Sequence, residues 1–480
     1  MTEINTAAHA AHAATDKTAP PSGLAFSSLP LPPAVLANLE RLGYTQMTPI
    51  QAASLPLALA GRDVIAQAKT GSGKTAAFAL PLLAKLDAQR FDVQALVLCP
   101  TRELAEQVTQ ELRRLARAED NIKVLTLCGG ATMRPQIASL AHGAHIVVGT
   151  PGRLLDHLAR ETLSLAALST LVLDEADRML DMGFAEDIAA VVKHCPKARQ
   201  TLLFSATYPD GVTTMAAKFM RDPARVTLTE RHAATTIRQR FYEVKEDERL
   251  HAVGLLLQHF RPASTLAFCN TKQRCRELSA VLQAQGIVAL ELHGDLDQRD
   301  RDQVLVQFAN RSCSVLVATD VAARGLDIAQ LEAVINVDIT PDAEIHTHRV
   351  GRTGRAGEAG WAFSLASLDE MGFVGRIDVM QGSEGVWHPL AELTVNETAE
   401  PLRPPMVTLQ ILGGRKEKIR AGDVLGALTK DLGFSGEQIG KINVNEFSTY
   451  VAVSREIAKA ALAGLNAGKV KGRAVKVRCL

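Results

Sequence analysis

The segment of this chain best suited to chemistry is a short loop rich in glycine and hydroxyl residues, between an apolar run at Val64–Ala66 and a helix-like run at Ala76–Leu80. Its glycines let the backbone approach phosphate, its second lysine can reach β- and γ-phosphates, and its last threonine can hold Mg²⁺ at a helix N-terminus. This spacing predicts an ATP site. The generic phosphate-loop pattern has glycine at its first position, where this chain has Ala68. The loop alone therefore does not specify the class of ATPase. The loop consists of Ala68, Lys69, Thr70, Gly71, Ser72, Gly73, Lys74 and Thr75.

A second candidate is an acidic cluster, Asp174-Glu175-Ala176-Asp177, which follows the strand-like run Leu171–Leu173. Ligands bind at the carboxyl ends of strands in parallel α/β sheets. A carboxylate there can hold Mg²⁺, which we assign to Asp174, and another can polarise water, which we assign to Glu175. The alternative is a solvated acidic helix start.

Two series of strand-like runs, separated by helical patterns, must position these groups. Each series predicts a mostly parallel sheet covered by helices. The first comprises Val64–Ala66, Ala95–Cys99, Val124–Leu127, Ile146–Val148, Leu171–Leu173 and Leu202–Phe204. The second comprises Leu266–Phe268, Val288–Leu292, Val315–Val317, Val334–Val337 and Ala362–Leu365.

Length and composition fit a multidomain protein that does not span a membrane. The 480 residues are 47% hydrophobic, and no apolar run reaches the roughly 18 residues needed to cross a bilayer. Seven cysteines without a Cys-x-x-Cys pair favour reduced thiols in the cytoplasm. We expect a disordered tail at 1–23, a first domain at 24–228, a linker at 229–238, a second domain at 239–391, a second linker at 392–405 and a C-terminal domain at 406–480.

The C-terminal domain is basic, although the whole chain is nearly neutral. Residues 406–480 contain 13 Lys and Arg against 6 Asp and Glu, whereas the formal net charge of the chain is +1. Concentrated positive charge on a small domain indicates nucleic-acid binding. The alternative is a basic domain that is merely soluble. Its pattern reads β-α-β-β-α-β, which predicts an α+β fold of the RNA-recognition-motif type.

Taken together, the loop, the acidic cluster, Ser205-Ala206-Thr207 and the run from His348 to Arg355 resemble the motif set of DEAD-box RNA helicases. The resemblance covers Phe26 to about Ser367. It implies two tandem RecA-like domains and an RNA-dependent ATPase that separates RNA strands locally.

The resemblance implies further contacts to ATP. Gln51, after Pro49, matches a glutamine that contacts adenine; an amide offers the donor and acceptor that adenine presents. Tyr44 is expected to stack on the base and Phe26 to support it. Asp327 resembles a residue that accepts a ribose hydroxyl.

The resemblance also implies that the second domain contributes arginines to the ATP site. Arg352 and Arg355 resemble arginine fingers, because charge on a transferred γ-phosphoryl needs bidentate cations. His348 is expected to organise the interface. A solvated basic stretch is the alternative reading of this run. ATP and RNA together are expected to bring the two domains into contact, bending one strand.

Coupling and RNA contacts are also assigned by resemblance. Ser205 and Thr207 are expected to link hydrolysis to duplex opening, and their hydroxyls can hydrogen-bond the acidic cluster, with Asp177 among its members. Read alone, Ser-Ala-Thr would suggest only an N-cap, and Arg153 could be a surface ion-pair residue. The RNA contacts assigned to the two helicase domains are Pro100, Thr101, Arg102, Gly130, Thr150, Pro151, Gly152, Arg153, Asn270, Thr271, Gly294, Gln298, Arg301 and Thr319.

In the C-terminal domain, most positions at which an RNA-recognition motif stacks bases lack an aromatic residue; Tyr450 is retained and Ala452 replaces a second ring. We therefore expect contact through charge and shape with a structured hairpin. The domain resembles that of a bacterial subgroup of the family, which implies a hairpin of large-subunit (23S-type) ribosomal RNA, pre-50S particles as partners, and a monomer. The expected contacts are Arg415, Lys416, Lys418, Arg420, Lys469, Lys471, Arg473 and Lys476.

Two other functions remain open at this stage. One is an ATP-gated clamp or general chaperone that holds RNA without ribosomal specificity, and the other is a DNA helicase. The intact Glu175 and arginine motifs argue against a passive clamp. Gln51 and the basic domain argue against DNA.

Overall fold

The fold is known from a computed structural model. It describes residues 23–68, 71–119, 121–208, 210–228, 237–323, 331–354, 359–395 and 400–480. The chain forms two compact units. The first contains one parallel sheet, and the second contains another parallel sheet together with the C-terminal domain.

The first unit is built around a seven-stranded parallel sheet of order β3-β4-β2-β5-β6-β1-β7. Its strands are β1 Val64–Gln67, β2 Ala95–Leu98, β3 Val124–Leu127, β4 Ile146–Gly149, β5 Thr170–Asp174, β6 Gln200–Ser205 and β7 Ala224–Thr227. Its helices are α1 Pro33–Arg41, α2 Pro49–Leu59, α3 Lys74–Ala84, α4 Arg102–Leu115, α5 Met133–Ala141, α6 Pro151–Ala159, α7 Ala176–Asp181, α8 Ala185–Lys193 and α9 Asp210–Phe219, with 3₁₀ turns at Phe26–Ser28 and Ala116–Ala118.

Apolar clusters pack on both faces of this sheet, which explains why its central strands read as continuous apolar runs. On β5, Val172 faces one cluster, and Leu171 and Leu173 face the other. The carboxyl ends of β1, β5 and β6 therefore emerge side by side at one edge of the sheet.

The second unit begins with another seven-stranded parallel sheet, of order β10-β11-β9-β12-β13-β8-β14. Its strands are β8 Ile237–Glu243, β9 Thr265–Cys269, β10 Ala289–Leu292, β11 Val315–Thr319, β12 Ala333–Asn336, β13 Gly360–Ala366 and β14 Trp387–His388. Its helices are α10 Arg249–Phe260, α11 Lys272–Ala284, α12 Gln298–Ala309, α13 Asp320–Ala323, α14 Ala343–Val350 and α15 Met371–Gln381, with 3₁₀ turns at Leu368–Glu370 and Leu390–Glu392.

The C-terminal domain has a four-stranded antiparallel sheet of order β16-β17-β15-β18 with helices on its apolar face. Its elements are β15 Met406–Ile411, α16 Ala421–Gly426 continuing as a π-helical segment Ala427–Asp431, a 3₁₀ turn Gly436–Gln438, β16 Ile439–Val444, β17 Thr449–Ser454, α17 Ala458–Ala467 and β18 Val477–Cys479.

The predicted fold class, two parallel-sheet domains and a small α+β domain, is confirmed. Three strands were not predicted, namely β7, β8 and β14. β8 alternates arginines with other residues and starts at Ile237, inside the segment expected to be a linker. Its arginines are accommodated because Arg238 and Arg240 each lie 5.2 Å from the ring of Trp361. The rest of the hinge predicted around 230–236 lies outside the described residues.

Candidate active site and nucleic-acid interface

The phosphate loop connects β1 to α3, and its backbone shape depends on glycine. Gly71 and Gly73 have φ of +84° and +91°, and Gly73 is the N-cap of α3. Lys74 is only 6% exposed, and among the described residues its Nζ has no hydrogen-bond partner; the same is true of the hydroxyl of Ser72. A buried, unpartnered ammonium is costly unless an anion joins it. The loop is therefore built to receive phosphate.

Gln51 joins the expected adenine-contacting element to this loop. The side chain is 1% exposed, its Oε1 accepts from the Thr48 N–H (2.9 Å), and its Nε2 donates to the Gly73 carbonyl (3.1 Å). A Cβ on Gly73 would approach that Nε2 to 2.5 Å. Each amide atom makes one bond within the chain and keeps a second donor or acceptor, so these bonds orient the amide for the predicted contact to adenine.

The two aromatic residues expected near the base contact each other. The rings of Phe26 and Tyr44 lie 6.0 Å apart in an edge-to-face arrangement. Burial raises the pKa of Tyr44, and the hydrogen bond from its hydroxyl to Glu111 (2.6 Å) raises it further. The ring of Tyr44 is therefore held in place by both packing and a polar contact.

The acidic cluster lies where β5 ends. Asp174 is buried, and burial raises its pKa to about 7. The positive charge of Lys74 acts in the opposite direction. The phosphate loop and the acidic cluster are therefore close enough to form one site. Glu175 follows in the left-handed region (φ +52°) and caps α7. This conformation is costly for a non-glycine residue and is typical of functional positions. The Glu175 carboxylate pairs with Arg178, one turn along α7.

Asp177 organises the end of β6. Its Oδ2 accepts hydrogen bonds from the N–H of Ala206 (3.1 Å), the N–H of Thr207 (2.8 Å) and the hydroxyl of Thr207 (2.9 Å). Its own N–H donates to the Ser205 hydroxyl (3.2 Å). The predicted contact between these hydroxyls and the acidic cluster is therefore present. Burial would raise the pKa of Asp177, but the bonds from Thr207 and Ser205 outweigh burial and lower it.

The residues expected to contact RNA in the first unit lie at helix starts and turns beyond β2, β3 and β4. Thr101 caps α4 by accepting from the Leu104 N–H (3.2 Å), and Arg102 is half-buried. Gly130 and Gly152 are exposed, Thr150 is half-buried, and Pro100 and Pro151 are buried. Exposed backbone at such positions suits phosphate oxygens.

Arg153 points inward in this structure. Its guanidinium donates to the Ala131 carbonyl and the Gln136 amide oxygen, each at 2.9 Å. Arg153 thus connects α6 to the turn after β3. Its Nε also lies 3.7 Å from the Asp156 carboxylate, so the ion pair considered for Arg153 is present, and its RNA contact stays a prediction.

In the second unit, Arg349 is the centre of a buried network. It forms a bidentate pair with Asp320 (2.7 Å for both bonds) and donates to the Asn270 side-chain oxygen (2.8 Å). Thr271 caps α11 through the Arg274 N–H (3.1 Å). This network holds the ends of β9, β11 and α14 together, and it engages Asn270 within the protein.

The remaining assigned residues of this unit differ in exposure. Gly294 is exposed, and Gln298, Arg301 and Thr319 are half-buried, so their contact with RNA stays a prediction. His348 is exposed on α14, whereas Arg352 is 6% exposed just beyond it. The predicted site residues that lie outside the described residues are Lys69, Thr70, Asp327 and Arg355.

The basic residues assigned in the C-terminal domain are exposed and occupy two loops. They are Arg415, Lys416, Lys418, Arg420, Lys469, Lys471, Arg473 and Lys476. Tyr450, by contrast, is 4% exposed and accepts a hydrogen bond from Gln410 (3.2 Å). The retained aromatic therefore offers no open face for a base.

Sequence reasoning missed Arg178, the partner of Glu175, although its position three residues along α7 was a usable signal. It also missed Thr48, which forms a capping box with Gln51. The Thr-x-x-Gln spacing was visible in the sequence.

Known proteins resemble the chain over nearly its whole length. The DEAD/DEAH box helicase family model matches residues 48–215, the helicase conserved C-terminal domain matches 248–357, and the DbpA RNA binding domain matches 408–479. The ATP-dependent RNA helicase DbpA of Escherichia coli K12 is 53% identical over 458 residues, which covers 95% of this chain and 99% of that protein.

More distant relatives match the two helicase domains. The DEAD-box ATP-dependent RNA helicase CshA of Streptococcus pneumoniae TIGR4 is 47% identical over 354 residues, covering 74% of this chain and 67% of that protein. The solved structure of S. cerevisiae Dbp5 bound to RNA and ADP BeF3 has a TM-score of 0.70 at 30% identity, covering 77% of this chain and 96% of that one. Among the described residues, no helix is long and apolar enough to cross a membrane.

Proposed function

Because this chain belongs to the DEAD-box ATP-dependent RNA helicases, we propose that it remodels 23S-type ribosomal RNA in pre-50S particles, with its C-terminal domain selecting the RNA. The chain is an RNA helicase that uses ATP. The observation that carries the ribosomal proposal is the match of residues 408–479 to the DbpA RNA binding domain. We further propose a cytoplasmic monomer with the domain boundaries given above.

The proposed chemistry follows from the side chains at the carboxyl edge of the first sheet. The buried ammonium of Lys74 and the loop N–H groups bind the phosphates. Glu175, placed at the strained start of α7, orients the attacking water. Arg352 and Arg355 stabilise charge that develops on the γ-phosphoryl group. Asp177 transmits the state of the site to Ser205 and Thr207.

Mg²⁺ fits the donors that this site offers. The described residues contain no group of three or more His, Cys, Asp and Glu side chains able to hold a metal alone. Mg²⁺ instead favours one or two protein oxygens with phosphate and water completing the shell. Thr75 at the start of α3 and Asp174 are the residues that would hold it. When bound, the ion supplies charge neutralisation on the phosphates.

The C-terminal domain supports recognition of a structured RNA. Its two basic loops, residues 413–420 and 468–476, lie at one end of the domain because β15 ends and β18 begins there. The two loops contact each other, because the Lys471 ammonium donates a hydrogen bond to the Lys418 carbonyl. Clustered cations at one end bind phosphates that a folded hairpin brings close together.

The test is a comparison of RNA-stimulated ATPase activity in the full-length protein. A fragment of 23S-type ribosomal RNA should stimulate at a lower concentration than a random RNA of equal length. Removing the positive charge of Lys469, Lys471 and Arg473 with alanine should abolish this difference. Alanine replacement of Lys430, Lys441 and Lys459, three exposed basic residues outside the two loops, removes the same amount of charge and should preserve it. Equal stimulation of the wild-type protein by both RNAs would contradict ribosomal targeting.

A further inference from the structure

The sheet surface that RNA-recognition motifs use for stacking bases is closed in this protein. Leu409, Ile411, Val451 and Val453 face the domain core. The alternate residues on the opposite face are also buried, with exposures of 0% for Thr408, 2% for Gln410, 4% for Tyr450 and 1% for Ala452. None of them can present a surface to a nucleobase.

Part of this closure comes from the second parallel-sheet domain. The hydroxyl of Thr408 accepts from the Asn310 amide (3.1 Å) and lies 2.7 Å from the Ser312 hydroxyl, both in the turn between α12 and β11. The Met406 N–H donates to the Arg311 carbonyl (3.3 Å). The outer face of β15 is thus a docking contact within the chain, and a stacking residue has to be sought elsewhere.

An exposed aromatic ring is present at the basic end of the domain. Phe447, in the loop between β16 and β17, is 61% exposed. The other aromatic residues of 406–480 are Phe434, which packs against the core, and Tyr450, which is buried. Of the three aromatic rings in residues 406–480, Phe447 is therefore the one that is open to a partner outside the chain.

The loop that carries this ring is held in a defined shape. The N–H groups of Arg415 and Lys416 donate to the carbonyls of Asn445 (2.8 Å) and Glu446 (3.1 Å). A Cβ on Gly414 would lie 2.3 Å from the Asn445 carbonyl oxygen, so only glycine permits this approach. Two loops therefore form one rigid platform, from which Phe447 projects.

The surroundings of the ring select the class of partner. The Lys416 ammonium lies 4.2 Å from the ring centroid, and the exposed basic side chains of the 413–420 loop stand on the same platform. Of the acidic groups nearby, Glu417 accepts from the Gly414 N–H (2.7 Å). Glu446 pairs with Lys416 (3.2 Å) at an exposed position, and a phosphate that binds Lys416 replaces Glu446 in this pair. An apolar ring beside cations matches a nucleobase and its phosphate better than an apolar protein surface.

We propose that Phe447 is the base-stacking residue of this domain and that, with Arg415 and Lys416, it binds an unpaired nucleotide of a structured RNA. The site replaces the closed sheet face. The inference rests on the proposed RNA binding by the C-terminal domain. It adds the residue that stacks on a base, Phe447, and the feature of the RNA that it binds, an unstacked base next to a phosphate. Paired nucleotides do not use the site, because their faces are covered by neighbouring bases.

The test uses the full-length protein and two RNAs of equal length, a hairpin with a 2-aminopurine in its loop and a blunt continuous duplex. Base–aromatic stacking is worth about 1–3 kcal/mol, so Phe447→Ala should weaken hairpin binding by roughly 5- to 150-fold. Duplex binding should change by less than about twofold. Phe447→Tyr should bind the hairpin as the wild type does, and the 2-aminopurine fluorescence change on binding should be lost only in the alanine variant.

Leu425→Ala is the matched control, because Leu425 is an exposed apolar side chain of the same domain (41%). It should leave binding of both RNAs unchanged. Wild-type hairpin affinity in Phe447→Ala would overturn the proposal, and so would an equal loss of hairpin and duplex binding. Both RNAs can have random sequence, so the outcome does not depend on ribosomal specificity. Absence of a preference for ribosomal RNA would contradict the proposed function and leave the stacking site standing.

Discussion

Replacement of Asp177 by asparagine tests how the acidic cluster holds the end of β6. The variant keeps the size of the side chain but removes its charge. The carboxylate oxygen Oδ2 accepts from two backbone N–H groups, those of Ala206 and Thr207, and from the Thr207 hydroxyl. A hydrogen bond to a charged group contributes about 1.5–3 kcal/mol. Asparagine replaces the charged acceptor with a neutral amide, whose NH₂ cannot accept from the donors it faces, either these three or the Arg178 N–H that now bonds Oδ1. We expect the local opening free energy of residues 205–207 to fall by about 2–3 kcal/mol.

The assay is amide hydrogen exchange of the full-length protein in the absence of nucleotide. A loss of 2–3 kcal/mol corresponds to roughly 30- to 150-fold faster exchange at the Ala206 and Thr207 amides. Asp92→Asn is the control, since Asp92 is 60% exposed in a surface pair with Arg90 and such pairs contribute little. Exchange within twofold of wild type at both amides of Asp177→Asn would refute the view that this carboxylate holds the loop.

Two further predictions concern a buried lysine and a buried histidine. Lys74→Met should weaken ATP binding at least about tenfold by loss of charge-assisted bonds to phosphate. Fluorescent-nucleotide binding measures this effect, and wild-type affinity in the variant would contradict the assignment. Burial lowers the pKa of His346 to about 4, so the folded state resists protonation. The unfolding free energy should therefore fall by about 3 kcal/mol as pH drops from about 6.5 to about 4. Fluorescence of Trp361 and Trp387, which are in the same domain, reports it, and a loss in His346→Leu as large as that of the wild type would disprove the assignment.

The parallel sheets were predictable because central strands carry a strong local signal. Runs such as Leu171–Leu173 are buried on both faces and read as continuously apolar. The edge strand β7 carries an alternating polar pattern, and β14 has two residues. Both strands form only by pairing with a strand that is distant in the sequence, and the residues of β7 and β14 themselves do not indicate this pairing.

The candidate site was predictable where one short segment carries several functional groups. The phosphate loop and the contact of Ser205 and Thr207 with the acidic cluster were expected from their positions at strand ends. The engagement of Gln51 by Gly73 and the closure of the sheet around Tyr450 were not, because both depend on residues distant in the chain. Whether a side chain is free to bind a ligand depends on its tertiary contacts.

The central claim is that ATP turnover at the carboxyl edge of the first sheet drives RNA strand separation, with Glu175 orienting the water. The most direct measurement is multiple-turnover ATPase activity of Glu175→Gln, run beside separation of a short RNA duplex, with Glu186→Gln, a change at an exposed glutamate on α8, as the control. We expect Glu175→Gln to lose most of its ATP turnover and its repeated strand separation, while the control keeps both. Full multiple-turnover ATPase activity in Glu175→Gln would contradict it.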